Sequence, residues 1–310
     1  MKKVTFLAGL AAVMMASCNN EEIDITSVPI DLHFGVAATT TRASITKDEF
    51  EEGNQVGVYM GALKETDTQG KLVSTGKFNN VPYQLNGTSW NGDPIYWQST
   101  TEYHTLYAYA PYSETISGDF HIEINVPADQ KEASAYKNVD FLWGQLGPML
   151  ATADEQTFEL GHQMSQLMIT LTASDGMEKD ELDDMTLELK DISFASKGSF
   201  DLNTGVCTAN NVTTPTTLTP YRPEDTNTFY AIVLPGTVLK DAKIVLTAKD
   251  NTTYSYTIKN VTTAQGYKYT FDLQVKKGTL QLAEKGFTIN SWGGNTTENG
   301  DATMDTTTTP

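Results

Sequence analysis

Cys18 is the residue whose surroundings most clearly indicate covalent chemistry. It follows a short basic start, an apolar run over residues 4–15 and the small pair Ala16-Ser17. This order is typical of a secretory signal peptide, and the apolar run is shorter than the ~20 residues that a membrane-spanning helix needs. The sequence Met15-Ala16-Ser17-Cys18 resembles a lipobox, where a signal peptidase cuts before a cysteine that becomes acylated. We therefore expect residues 1–17 to be removed and Cys18 to be lipidated; the alternative is an ordinary signal peptide followed by an unmodified cysteine.

A cluster of carboxylates is the second group that could do chemistry. Asp180, Glu181, Asp183 and Asp184 lie within five positions of one another. Paired carboxylates hydrolyse glycosidic bonds in many enzymes, but these are adjacent in a polar stretch with no aromatic residue nearby in sequence. A solvated surface is the favoured interpretation. Calcium binding there, or at Asp250-Asn251, stays open, although the spacing of an EF-hand is lacking.

Motifs of the common enzyme classes are missing from the sequence. It contains no nucleophile elbow, P-loop, zinc-protease histidine pair or glycine-rich dinucleotide loop. No Cys/His cluster has the spacing of a zinc site, and the four histidines are widely scattered: His33, His104, His121 and His162. We therefore predict that the protein is not an enzyme and that it has no catalytic residue, no metal site and no cofactor.

The net charge of the chain disfavours one class of partner. The whole chain carries 21 basic and 39 acidic residues, a net charge of −18. Removing residues 1–17 takes away Lys2 and Lys3 but no acid, so 19 basic residues remain against 39 acidic ones, a net charge of −20. Nucleic acids are disfavoured because phosphate binding relies on clustered Lys and Arg.

If Cys18 is acylated, Cys207 has no partner for a disulfide, and stability must come from a buried core.

Alternation of apolar and polar residues dominates the chain, which is the period of half-buried strands. Signals for helices are weak: residues 128–137 could form a short helix, and residues 178–184 are better explained as a charged turn. Turn residues separate the strands at frequent intervals, which favours β-sandwiches. The clearest alternating sets are Ile30/Leu32/Phe34/Val36, Phe120/Ile122/Ile124/Val126, Leu167/Ile169/Leu171/Ala173, Met185/Leu187/Leu189, Ile244/Leu246/Ala248, Tyr254/Tyr256/Ile258 and Tyr267/Tyr269/Phe271/Leu273/Val275.

These patterns predict an all-β protein with two sandwich domains in tandem. An acidic tether over residues 18–27 precedes an N-terminal domain over residues 28–165 and a C-terminal domain over residues 166–292. Residues 293–310 are rich in Thr, Asn, Gly and Asp and form a polar tail that we expect to be disordered.

An ordered series of short motifs resembles the fimbrillin family, the pilin lipoproteins of gut and oral anaerobes. No single motif is specific, but the series follows the family order from residue 18 to residue 292. It comprises Thr41-Arg42-Ala43, Phe50, Gly53, Val56-Gly57-Val58-Tyr59, Trp90, Trp97, Tyr107-Ala108-Tyr109-Ala110-Pro111, Asp140, Gly161-His162-Gln163-Met164-Ser165, Gly198-Ser199-Phe200-Asp201, Gly205, Ile232-Val233-Leu234-Pro235, Tyr267-Lys268-Tyr269 and Ile289-Asn290-Ser291-Trp292.

The resemblance implies two transthyretin-like Greek-key sandwiches and a role as a fimbrial subunit. The acidic residues after Cys18 resemble export tags that carry lipoproteins to the outside of the outer membrane, so acylated Cys18 would anchor the protein at the cell surface. Acylation with two or three chains holds a protein stably, whereas one chain binds only marginally. Most of the family motifs have a simpler structural role: Trp90 and Trp97 are expected to pack in the core, and His162 to occupy a turn or a polar core position.

Arg42 is the site at which the resemblance implies proteolytic processing. It lies among small polar residues, 37–44, and such stretches are accessible to proteases. A trypsin-like cut between Arg42 and Ala43 would release residues 18–42 with the strand Ile30, Leu32, Phe34 and Val36. A strand from another subunit would then fill the vacated groove by donor-strand exchange, placing the protein in a fimbrium. The alternative is that Arg42 is an ordinary loop residue.

The C-terminal tail bears on which kind of subunit this is. Residues 293–310 lack alternating apolar positions and would make a poor donor strand, so the donor is either residues 278–292 or absent. An acceptor-only subunit would lie at or near the pilus tip and could bind a host or bacterial surface ligand. We favour such an accessory or tip subunit. The competing hypothesis is a monomeric surface lipoprotein that binds glycans through exposed Trp90 or Trp97.

Overall fold

The computed structural model describes residues 24–37, 49–210 and 216–292, apart from the side chain of Lys285. Within these residues the chain is almost entirely β-structure, as the alternation predicts. Its strands are β1 (Leu32–Val36), β2 (Gln55–Met60), β3 (Val81–Asn86), β4 (Ser89–Gly92), β5 (His104–Ala110), β6 (His121–Asn125), β7 (Leu142–Met149), β8 (Gln156–His162), β9 (Ser165–Ala173), β10 (Thr186–Ile192), β11 (Lys197–Asp201), β12 (Val206–Asn210), β13 (Thr216–Leu218), β14 (Thr228–Val233), β15 (Lys243–Thr247), β16 (Thr253–Thr257), β17 (Tyr267–Lys276) and β18 (Thr279–Ser291).

The described strands form four sheets. The largest has the order β1-β8-β7-β5-β2-β3-β4, and a three-stranded sheet has the order β12-β11-β6. The two other sheets have the orders β14-β9-β17-β18 and β13-β10-β15-β16. Most neighbours are antiparallel; β1 with β8 and β9 with β17 are parallel pairs. The predicted all-β class with two sandwiches in tandem is confirmed.

The first core lies on one face of the seven-stranded sheet. The sheet curves until its two edge strands meet: the ring of Phe34 on β1 lies 5.0 Å from the ring of Trp90 on β4, centroid to centroid. The buried residues of this core include Ile30, Leu32, Phe34, Val56, Val58, Met60, Ile95, Trp97, Leu106, Phe158 and Leu160.

The second core lies mainly between the two four-stranded sheets. Inward positions of β9 and β17 face inward positions of β10 and β15 across it, with side chains from alternate residues, as the period of two requires. It contains Leu167, Ile169, Leu171, Leu187, Leu189, Ile244, Leu246, Phe271, Leu273 and Val275. The predicted strands around these residues are confirmed as β9, β10, β15 and β17.

One strand complicates the proposed boundary at residue 165. β6 precedes this boundary in sequence but pairs with β11, which follows it. Its buried residues Ile122 and Ile124 belong to the second core. We retain residue 165 as the proposed division between residues 28–165 and 166–292, with β6 contributed across it.

In the described residues, helical structure is confined to short segments. The helix α1 runs over Ala133–Lys137, inside the predicted range 128–137, and buries Tyr136. Two 3-10 helices cover Ile25–Ser27 and Asp180–Leu182, the latter in the predicted charged turn. Among the described residues, no helix has both the length and the apolar character to cross a bilayer.

Candidate functional site

Among the described strands, β1 has one neighbour and lies at the edge of the seven-stranded sheet. It pairs in parallel with β8, with Leu32 opposite Gln156 and Phe34 opposite Phe158. The backbone N–H of Ile30 also donates to the carbonyl of Ile95 at 2.8 Å, and that of Ala37 to the carbonyl of Leu160 at 2.9 Å. An edge strand with one partner can leave without breaking a second ladder, which distinguishes β1 from the central strands.

Buried side chains also hold β1 in place. Ile30, Leu32 and Phe34 are 7%, 4% and 7% exposed, and Val36 is half-buried. The ring of Phe34 stacks on Phe158 at 5.4 Å and lies 5.6 Å from the ring of Tyr83. The groove beneath β1 is therefore apolar and partly aromatic, and every second residue of the strand inserts its side chain into it.

A cavity of about 820 Å³ opens at the C-terminal end of β1. In its wall, the imidazole of His162 is 2.8 Å from a carboxylate oxygen of Asp140 and stacks on the indole of Trp292 at 4.1 Å. Within the described part of the chain, Oε1 of Gln166 and Nε1 of Trp292 are buried without a hydrogen-bond partner. The residues that line the cavity include Val36, Phe50, Tyr136, His162, Tyr221 and Trp292.

The two tryptophans expected in the core are not open platforms. Trp97 is 2% exposed, and its indole N–H donates to the carbonyl of Thr152 at 2.8 Å. Trp90 is half-buried between the rings of Phe34 and Phe50, each 5.0 Å away. Stacking of a sugar on either indole would require these contacts to be broken, so the glycan hypothesis loses the aromatics on which it was based.

His104 predicts how the first sandwich responds to acid. The ring is fully buried against Trp97 at 4.9 Å, and its Nε2 accepts the backbone N–H of Gln98. Burial lowers the pKa of His104 below its ordinary value, so the unfolded chain binds the proton more readily than the folded one. This contribution to stability is complete above the unfolded pKa of about 6.5 and is lost as the pH falls below it, by up to ~1.4 kcal/mol per pH unit.

We expect His104→Gln to make the free energy of unfolding fall less steeply between about pH 7.5 and about pH 5.5. Urea unfolding, followed by the fluorescence of tryptophan, measures that difference. Leu106→Val is the matched control: it destabilises the same strand at both pH values without a titrating group. Equal slopes for His104→Gln and the unaltered chain would contradict the prediction.

The carboxylate turn is paired with cations in the structure. The guanidinium of Arg222 donates to the carbonyls of Leu182, Asp183 and Met185 at 3.0–3.2 Å. The carboxylate of Asp184 lies 3.0 Å from the ammonium of Lys249. These contacts explain the turn as a surface feature held by Arg222, which agrees with the solvated interpretation.

Cys207 is a buried thiol on β12. Burial raises its pKa to about 12, so the thiolate form that reacts and binds metals is rare at neutral pH. Its surroundings favour a packing role.

A group that the sequence prediction missed lies on the outer face of β1. Nε2 of His33 is 3.2 Å from Oδ1 of Asp31 and 3.7 Å from Oε2 of Glu155. The prediction of no metal site was based on spacing along the chain, and Glu155 is more than 120 positions from His33. The alternation of Asp31 and His33 was the available signal, but only the pairing of β1 with β8 brings Glu155 to them.

The sequence-predicted processing sites lie outside the described residues. Cys18, Arg42 and Ala43 belong to this group, as does the predicted tail over residues 293–310. Of the predicted removable strand, all four residues are described, and the structure brings three of them into one buried row.

Comparison with known proteins identifies the family. The model of the fimbrillin-like family matches residues 41–292. A curated relative from Bacteroides ovatus, named as the fimbrium tip subunit Fim1C, is 24% identical over 185 residues, which is 51% of this chain and 33% of the relative. The matched region therefore spans about a third of that relative's length.

Solved structures agree on the fold. Crystal structures described as cell adhesion proteins from Bacteroides uniformis and Bacteroides ovatus each superpose with a TM-score of 0.63, covering 86% of this chain and 98% of theirs. Their identities of 18% and 19% make this a likeness of fold alone. With the family match extending over most of the sequence, the chain belongs to the fimbrillin-like family.

Proposed function

We propose that this protein is a fimbrial subunit that is exported as a lipoprotein, cut after Arg42 and assembled by strand exchange. The observation that carries the proposal is β1 itself: an edge strand with one neighbour, three buried side chains and the segment of Arg42 following it in sequence. Family membership supports the same role, and so does the relative named as a fimbrium tip subunit.

The energetics of β1 make its removal consequential. Burial of Ile30, Leu32 and Phe34 contributes about 1.5–3 kcal/mol each, or roughly 4–9 kcal/mol together as an upper estimate. A domain has a total stability of only about 5–15 kcal/mol. Losing β1 would also expose the edge of β8, which is a template for pairing with another chain. A strand from a second subunit would restore both the burial and the pairing.

The pairing of β18 favours a subunit that accepts a strand without donating residues 278–292. β18 pairs with β17 along most of its length, and the ring of Phe287 lies 4.9 Å from that of Phe271. Donation of residues 278–292 would require this pairing to be broken. We therefore propose an accessory or tip subunit, which accepts a strand and ends the fibre. Before processing, acylated Cys18 would hold the chain at the outer membrane.

The test is the N-terminus of the protein in material sheared from intact native cells. We expect mass spectrometry of the large assemblies to find a chain that begins at Ala43. Recovery of only the acylated Cys18 form, with no assemblies, would refute processing and strand exchange.

A second function is favoured by the cavity at the end of β1. Its lining combines the half-buried rings of Phe50 and Tyr221 with the exposed amides of Asn54 and Asn138, a mixture that suits a polar ligand such as a saccharide. In this version the chain stays anchored and monomeric. The sheared-cell experiment separates the two, because only the fimbrial subunit appears in assemblies beginning at Ala43.

A further inference from the structure

The outer face of β1 carries a set of side chains that the proposed assembly does not use. Asp31 and His33 are two residues apart and so project from the same face of the chain. Glu155 stands directly before β8, whose first residue Gln156 is opposite Leu32. The parallel register therefore places Glu155 beside Asp31, and one ligand atom from each of the three residues lies within 4.8 Å of the others.

The chemistry of this group fits a divalent cation of the Zn²⁺ type. An imidazole nitrogen with two carboxylate oxygens is a donor set that zinc and its neighbours in the first transition row accept. The hydroxyl of Thr157 donates to Oε1 of Glu155 at 3.1 Å, and Oε2 is the oxygen nearer to His33. That hydrogen bond orients the carboxylate, as partners outside the ligand set do in metal sites.

The exposure of these three side chains to solvent suits a regulatory ion that can bind and leave, rather than a buried structural ion. The side chains of Asp31, His33 and Glu155 are 70%, 43% and 56% exposed. A cation can therefore enter from solvent and keep water in its remaining positions, without the penalty of burying charge. The two carboxylates supply the negative charge that the cation would neutralise.

We propose that Asp31, His33 and Glu155 form a Zn²⁺-type site that ties β1 to β8. Asp31 and His33 would leave together with β1, whereas Glu155 would stay beside β8. The three-ligand site therefore exists only while β1 is in place. A ligand that binds one form stabilises it by mass action: cation at ten times its dissociation constant makes the opened form about tenfold rarer. The control of strand release rests on the proposed function; the binding site itself does not.

The binding test is calorimetric titration of ZnCl₂ into the whole mature chain, with Cys18→Ser to remove the unacylated thiol. We expect one saturable equivalent, weakened about tenfold or more in His33→Gln and in Glu155→Gln, as expected for loss of one ligand. Glu159→Gln is the matched control, since Glu159 is exposed on the same face of β8 beside Gly35 and outside the triad. Absence of saturable binding, or equal binding by all variants, would overturn the site.

Hydrogen exchange tests the coupling to β1. We expect Zn²⁺ at about ten times its dissociation constant to slow exchange of the β1 amides through strand opening by about tenfold in the unaltered chain and not in His33→Gln. Unchanged exchange in both would overturn the tie. Both readouts use the uncut chain, so a failure to find Ala43 in assemblies would refute the proposed function and leave the Zn²⁺ site standing, and the reverse also holds.

Discussion

A chain that begins at Ala43 is expected to be less stable than one that begins at residue 19 by about 4–9 kcal/mol, as an upper estimate. The loss comes from the first sandwich, where Ile30, Leu32 and Phe34 fill the groove beside β8. Because a domain is stable by only about 5–15 kcal/mol, the shortened chain should unfold in much less urea or aggregate through the open edge. Urea unfolding of the two purified chains, followed by tryptophan fluorescence, measures the difference.

Rescue by a peptide separates the lost strand from nonspecific damage. A synthetic peptide of residues 28–37 is expected to bind the shortened chain and restore most of the lost stability, since it supplies the same side chains. The matched control is that peptide with Phe34→Ser, which loses the contacts with Phe158, Tyr83 and Trp90. Equal stability of the two chains without peptide would show that β1 does not close the sandwich.

A second control tests the alternation. A peptide of the same composition in which Ile, Leu and Phe follow one another directly cannot present all three side chains to one face, because side chains alternate along a strand. It is expected to give no rescue. Rescue by this rearranged peptide would indicate general hydrophobic binding rather than insertion beside β8.

Strands with one face in water could be predicted from the sequence, and strands buried on both faces could not. β17 and β9 alternate clearly and were recognised. Every residue of β5 and β14 is buried, so no alternation marks them, and their motifs entered only through the resemblance to a family. The period of two reports a difference between faces, and a strand without that difference gives no such signal.

Long-range pairing set the second limit. Nothing in the sequence indicates that β6 pairs with β11 beyond the proposed boundary, because which strands become neighbours depends on the whole topology. The same reason hid Glu155 from the group with Asp31 and His33, and Trp292 from the cavity at the end of β1. The alternating buried positions along β1 were predictable from the sequence. The residues that contact them from other strands were not.

Arg42→Ala is expected to abolish assembly while leaving the folded subunit intact. If the cut does not occur, β1 stays tethered beside β8, where its effective concentration is in the millimolar range. A donor strand from another subunit must then displace it, so at micromolar subunit concentration we expect assemblies to fall on the order of 100-fold or more. The measurement is the amount of high-mass material sheared from cells that carry the variant in place of the natural chain.

Two matched variants assign the effect to the cut. Lys47→Ala removes the other basic residue within residues 38–48, and it is expected to leave assembly unchanged. A chain that lacks residues 18–42, with Ala43 placed directly behind a signal peptide, should assemble without any cut, because the strand is absent from the start. Normal assembly by full-length Arg42→Ala would mean that β1 leaves by another route, and the groove would then have to open without loss of its covalent connection.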